Sequence, residues 1–202
     1  MSQTNRLGPL VLEGRTVRLE PLRERHAAGL IEAAKHTDWT WFLTPLDSEE
    51  KVGAKIEDGL KKEAKDEEYA FAVVDRRDGR VIGSTSYLRV VSGHRRVEIG
   101  STWYAKEFWG TTVNPECKLL LLTHAFEDWK AVRVELVTDT NNVHSQRAIA
   151  KLGATLEGKL RNYGIRPNGR PRDVCLYSIV DGEWAALKPA LESRSRGPGT
   201  VN

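Results

Sequence analysis

Along some parts of this chain hydrophobic and polar positions alternate; along others apolar residues recur at helical spacing. Residues 15–20, Arg-Thr-Val-Arg-Leu-Glu, alternate with a period of two and predict a half-buried strand that Pro21 ends. Ala27, Leu30, Ile31 and Ala34 fall on one face of a helix predicted over 23–37. Residues 38–46 are irregular and aromatic. Asp47-Ser48-Glu49-Glu50 reads as a helix start with early acids. That second helix runs to about residue 66, with Val52, Ile56 and Leu60 on one face. Strands follow at 69–75, 80–91 and 96–103, separated by Arg76-Arg77-Asp78-Gly79 and Ser92-Gly93-His94-Arg95.

The last of these strands opens the stretch 98–129, around which the chain is organised. An apolar strand with one acid in it, Glu98, runs into a Gly/Thr loop. Asn114 and Pro115 mark a helix start, as N-cap and first helical residue. Leu119, Leu122, Phe126 and Trp129 form the expected buried stripe, widened by Leu121 and Ala125. A β-branched strand is predicted at 131–138. A short helix follows at 142–152, with Asn142 as N-cap and Gly153 in the left-handed position after its end. Residues 155–163 and 173–180 read as a final strand pair joined by a long basic connection, 164–172. A last short helix covers 182–191. Residues 1–12 read as a loose lead-in, and the Ser/Arg/Gly-rich 192–202 as a disordered tail. One domain, 13–191, is expected, in the order βααβββαβαββα: an α/β (α+β) fold without regular βαβ spacing.

Composition narrows the class. With 202 residues, 40% hydrophobic and 29% charged, this is an ordinary globular chain with enough length for a core. No apolar run is long enough to span a membrane, and no signal-peptide core is present. Cys117 and Cys175 are far apart, which points to free thiols in a reduced, cytoplasmic protein. No Cys/His spacing fits a metal, and none is expected. A net charge of +3 does not by itself point to nucleic acid. An RNA-associated reading would rest only on 161–172 and Arg194/Arg196. The strand–loop–helix at 98–129 is a different matter. Loop amides and the positive end of a helix dipole converge on one spot, which is an anion site.

The element order, the 98–129 stretch, and Asn142-Val143-His144-Ser145 followed by Lys151-Leu152-Gly153 together resemble the Gcn5-related N-acetyltransferase (GNAT) superfamily. Within it they are most similar to ribosomal-protein-alanine N-acetyltransferases of the RimJ/RimL type. The resemblance covers roughly 13–188, supported by further matching pieces at 15–22, 118–127 and 172–184. It implies a single-domain fold with a mixed, mostly antiparallel sheet splayed at one end. It also implies acetyl-CoA as co-substrate and a primary amine as acceptor, either a protein N-terminus or a small molecule. A CoA-binding module of the same fold without turnover is the alternative. A monomer or homodimer is expected.

The superfamily's pyrophosphate loop, [Gln/Arg]-x-x-Gly-x-[Gly/Ala], falls on Trp109, Gly110, Thr111, Thr112, Val113 and Asn114. Thr112 and Asn114 stand where small residues are usual. The resemblance places the cofactor arm along the backbone of Thr102, Trp103 and Tyr104, beside a bulge. It puts Asn142 and Ser145 near the arm and its sulfur, and Arg147 and Lys151 near the phosphates. Glu98 is the implied base, since amine acylation needs a neutral amine. Its other reading is a solvent-facing acid paired with Arg89. Ser145 is the implied acid; Ile149 stands where many members carry a tyrosine. Trp39, Trp41 and Phe42 either line an acceptor pocket, bordered by Tyr163, or form a hydrophobic plug. Cys117 is expected to be packed and inert, His144 exposed, and His26, His36, His94 and His124 surface or helix residues.

Overall fold

The structure is a computed structural model and describes residues 7–35 and 37–197. Its strands are β1 (Leu12–Glu13), β2 (Val17–Pro21), β3 (Tyr69–Asp75), β4 (Val81–Val91), β5 (Arg96–Tyr104), β6 (Arg133–Asp139), β7 (Thr155–Ile165) and β8 (Pro171–Val180). They form one eight-stranded sheet in the order β1-β2-β3-β4-β5-β6-β8-β7. Every neighbouring pair is antiparallel except β5–β6, which is parallel. The helices are α1 (Ala27–Ala34), α2 (Glu49–Glu63), α3 (Val113–Thr123), α4 (Val143–Ala150) and α5 (Asp181–Arg196). The predicted order holds, with the two-residue β1 added in front.

All seven residues of β3, Tyr-Ala-Phe-Ala-Val-Val-Asp, are buried, because both sheet faces are covered. On one face α1 and α2 pack against β3 and β4. On the other lies α3, to whose Leu121 carbonyl Tyr87 Oη donates at 2.5 Å. Packed along α3 is α5, where Trp184 Nε1 donates to Glu127 at 2.7 Å. Among the described residues no helix is long and apolar enough to cross a membrane.

Several expectations are corrected. Residues 7–12 are not loose: Leu7 is buried, and its carbonyl lies 3.0 Å from His124 Nε2. That contact also accounts for the burial of His124, which lies in a helix as one arm of the expectation had it. His26 is buried too, its Nδ1 accepting from the Arg23 amide at 3.1 Å. Thr112, not Asn114, caps α3. Asn114 sits in the first turn with its Oδ1 taken by Tyr104 Oη at 3.2 Å. The helix widens into a π-helical turn over His124–Asp128. The expected stripe is buried at Leu121, Leu122, Ala125, Phe126 and Trp129; Leu119 is only half-buried, and Cys117 and Lys118 are buried in addition. The final hairpin connection is only 166–170, because β7 and β8 pair out to Ile165↔Pro171. Finally, α5 continues through 192–196. Arg15 accounts for this, donating to the carbonyls of Ser195 at 3.2 Å and Arg196 at 3.0 Å in the last turn. Residues 1–6 and 198–202 and His36 lie outside the described residues.

Candidate functional site

The parallel β5–β6 ladder covers only Arg96↔Arg133, Val97↔Val134 and Glu98↔Glu135. Past Glu98 the two strands part. In β5, Ser101 adopts φ +47°, and the β4–β5 register shifts between Ser84 and Ser86. This bulge re-aims the strand. From Ile99 onward, the β6-facing edge of β5 has no partner strand among the described residues. A cleft of about 1810 Å3 opens at the parting, with 99–104 on one wall and Leu136, Val137 and Thr138 on the other. Single-ligand pockets run to about 1,000 Å3, so this cleft has room for two reactants.

The α3 N-terminus closes one end. Gly110 takes φ +73°, a left-handed turn that a β-carbon would strain. Thr111 Oγ1 donates to the Phe108 carbonyl at 2.7 Å, and Trp109 Nε1 to the Tyr104 carbonyl at 2.9 Å, which pins the loop. The amides of Gly110, Thr112 and Asn114 donate to nothing among the described residues. The side chains that stand where small residues are usual, and the first-turn acid Glu116, are turned elsewhere. Asn114 faces Tyr104, and Thr112 Cγ2 packs against Gly197, where a Cβ would stand 3.2 Å away. The Glu116 carboxylate accepts from the Arg15 amide, the Thr16 amide and Thr16 Oγ1, which fastens α3 to the β1–β2 turn. Arg147, Lys151 and Arg194 line this end of the cleft. None of them has a carboxylate within 4.0 Å among the described residues, although most other cations here are paired. Arg194 also donates to the Lys151 carbonyl, which ties α5 to the end of α4. His144 is exposed and stacks on Trp109, with centroids 6.3 Å apart.

Glu98 stands where the strands separate. It is buried, not solvent-facing, although Arg89 is beside it. Arg89 Nη1 lies 3.2 Å from Oε2, but the contact lacks hydrogen-bond geometry, and Oε2 has no hydrogen-bond partner among the described residues. This is an ion pair made by an exposed guanidinium, weaker than its distance implies. Burial pushes the Glu98 carboxyl above the usual carboxylate range; Arg89 pulls the other way, Glu135 adds to the rise and Arg172 opposes it. Arg89 also donates to Tyr163 Oη and lies 5.1 Å over its ring, so Tyr163 borders the same mouth. On α4, Asn142 Oδ1 accepts from the Ser145 amide at 3.0 Å, the predicted N-cap. Gly153 takes φ +86° beyond the helix end, also as predicted. Ser145 is half-buried in the cleft wall.

Pocket wall and hydrophobic plug turn out to be one structure. Trp39 packs edge-on against Phe42 at 5.1 Å and against Trp103 at 5.0 Å. Trp39, Trp41 and Phe42 are all half-buried and all line the cleft. Trp103 and Thr102 are adjacent in β5 and face opposite sides of the sheet. The aromatic cluster therefore lies on the α1/α2 side, and Thr102 on the α3 side with Thr85 and Lys118.

Lys118 is a cleft residue that the sequence did not single out, and Arg89, Arg172 and Arg194, read from sequence only as an ion partner of Glu98 or as part of basic stretches, also line the cleft. Lys118 is the most unusual. It is buried, and its Nζ donates to Thr102 Oγ1 at 2.8 Å. Burial pulls its ammonium down to about 8. A lone cation four residues before Leu122, on the buried stripe of a helix, was the available signal. Its neighbour Cys117 is packed as expected, and burial pushes the thiol up to about 12.

The splayed parallel pair, the bulged strand and the uncovered helix start place this chain in a known class: it belongs to the acetyltransferase (GNAT) domain family, whose model matches residues 16–155. YdaF of Bacillus subtilis, provisionally named a ribosomal N-acetyltransferase, is 33% identical over 111 residues, 55% of this chain and 60% of YdaF. This chain thus matches about three fifths of that relative's length. A GCN5-related N-acetyltransferase from Brucella melitensis superposes with a TM-score of 0.85 at 29% identity, covering 92% of this chain and 85% of that one. RimJ of Mycobacterium smegmatis, solved with CoA-disulfide, shares the fold at a TM-score of 0.75 and 22% identity, over 94% of each chain.

Proposed function

We propose that this chain is an acetyl-CoA-dependent N-acetyltransferase that transfers an acetyl group directly to a primary amine. The observation that carries this reading is the cleft itself. Free loop amides and unpaired cations stand at one end, an unpaired strand edge runs along the middle, and a buried carboxyl with a raised pKa sits at the parting.

The residues present suit such a ligand. The amides of Gly110, Thr112 and Asn114, with the α3 dipole, hold the pyrophosphate. Arg147, Lys151 and Arg194 meet the remaining phosphate charge. The free edge at Thr102, Trp103 and Tyr104 receives the arm. At the reacting end Glu98 takes the proton from the amine, directly or through a water, and its raised pKa suits it to that work near neutral pH. The amine nitrogen bonds to the acetyl carbon, the carbon–sulfur bond breaks, Ser145 Oγ gives a proton to the departing thiolate, and the surplus proton of the acylated nitrogen returns through water to Ser145. Trp39, Trp41, Phe42 and Tyr163 border the acceptor's entry from the α1/α2 side. The acceptor is a protein N-terminus or a small amine, and the provisional name of the YdaF relative, a ribosomal N-acetyltransferase, favours a protein acceptor.

Calorimetry with acetyl-CoA, followed by a thiol-release screen over small amines and N-terminal peptides, tests this reading. Binding together with release for at least one acceptor is the expected result. No binding at millimolar acetyl-CoA removes it. Binding without release across the panel makes the chain a CoA-binding module instead.

A further inference from the structure

Lys118 is a charged group placed where the fold gives it little support. It is buried on α3, and among the described residues no carboxylate lies within 4.0 Å of its Nζ. Among the described residues its one hydrogen bond goes to Thr102 Oγ1, at 2.8 Å. That hydroxyl is already shared: it lies 2.8 Å from Thr85 Oγ1 and 3.3 Å from the Gly100 carbonyl. An ammonium carries three donors, so most of the capacity of Lys118 is unused. A buried cation with a single neutral acceptor is costly, and burial accordingly pulls its pKa down to about 8. The side chain lines the cleft, so the missing acceptors can come from what the cleft binds.

Position in the fold selects the ligand atom. Tyr104 bonds Asn114 at the α3 start, while Thr102 bonds Lys118 further along the same helix, on the same face of β5. Two strand residues separate these rungs, about 6–7 Å. The ammonium therefore lies deeper than the phosphate-binding loop. It is also short of Glu98, which is four residues back along β5 and beyond the bulge at Ser101. Between a pyrophosphate and a thioester, the arm of acetyl-CoA presents amide carbonyls. An ammonium can only donate, and a carbonyl oxygen can only accept.

We propose that Lys118 is a substrate-binding residue whose ammonium, oriented by Thr102, donates to an amide carbonyl of the acetyl-CoA arm. The inference rests on the acetyl-CoA reading of the cleft. It gives the helix a role beyond its N-terminus: α3 holds the phosphate with its amides and the arm with a side chain.

Calorimetry on the full chain tests it with three probes: acetyl-CoA, CoA, and adenosine 3′,5′-bisphosphate, which lacks the arm. In Lys118→Met, acetyl-CoA and CoA are expected to bind about tenfold more weakly, with the bisphosphate unchanged. In Lys118→Gln, which keeps a donor, the loss is smaller. Melting of the ligand-free protein separates binding from folding. Removing a buried, unpaired cation leaves the melting temperature equal or higher, whereas a structural role for the lysine would lower it. If Lys118→Met melts lower, the affinities are read from Lys118→Gln, for which a loss of more than about twofold but less than about tenfold for acetyl-CoA and CoA, with the bisphosphate unchanged, is expected. Acetyl-CoA affinity within about twofold of the unaltered protein overturns the inference, as does an equal loss for the bisphosphate. Failure of the unaltered protein to bind acetyl-CoA overturns the reading of the cleft and this inference with it.

Discussion

Glu98 and Lys118 are opposite charges, both buried beside the cleft, and only one of them stood out in the sequence. An acid between Val97 and Ile99 breaks a short apolar strand and is easily noticed. Lys118 sits next to Leu119-Leu120-Leu121-Leu122, where a lysine is normally read as the exposed side of an amphipathic helix. Here that side faces the sheet instead, with Lys118 reaching Thr102 on β5. The raised pKa of Glu98 has two consequences with different signs. Its folded form holds a proton more tightly than the unfolded chain, so ionisation costs stability as pH rises above the unfolded value of 4.5. As a base it works only when ionised, so the rate rises over the same pH range. Glu98→Gln is therefore expected to lower kcat about 100-fold near neutral pH and to abolish the acid limb of the pH–rate profile. The same change should leave the melting temperature at pH 8 equal or higher. Steady-state kinetics across pH, paired with thermal melts at pH 5 and pH 8, check both signs. An unchanged acid limb rules Glu98 out as the base.

At the scale of elements, termini with side-chain signals were legible and those without were not. Asn142 and Gly153 bound α4 as read, because a cap and a left-handed residue each leave a residue-type signature. The start of α3 was misread because Asn114 looked like a cap, whereas its oxygen is committed to Tyr104 across the loop. The extra turn of α5 was invisible for the same reason: its acceptors meet Arg15, about 180 residues away in sequence. Gly110 is the one position in the loop where backbone shape alone decides the residue. Gly110→Val places a β-branched side chain at φ +73° and is expected to cost about 1–2 kcal/mol of folding free energy. Urea denaturation measures that cost. Acetyl-CoA titration of the folded variant is expected to show weaker binding as well, because the adjacent amides move with the turn.

For the whole molecule, the chain order gave the family-like succession of strands and helices, but not the sheet order or the edge packing. Pairing of β6 with β8 rather than β7, and the placing of the C-terminal helix at the mouth of the cleft, are set by contacts between distant segments. Residues 7–12 were misjudged likewise, since Leu7 is buried by a partner more than a hundred residues away. The parting of β5 from β6 has one further consequence. A sheet normally ends at an edge, and here it is interrupted in its interior, so its two halves are joined along that line only by the three pairs from Arg96↔Arg133 to Glu98↔Glu135. A peptide-like arm lying in the gap would complete the ladder, standing in for a missing length of strand. Hydrogen–deuterium exchange in 99–103 and 136–139 should then slow when acetyl-CoA binds, at alternate amides facing the gap, while β3 remains unchanged. On that expectation the reactant acts as a suture, and the two halves of the sheet are most firmly joined when the site is full.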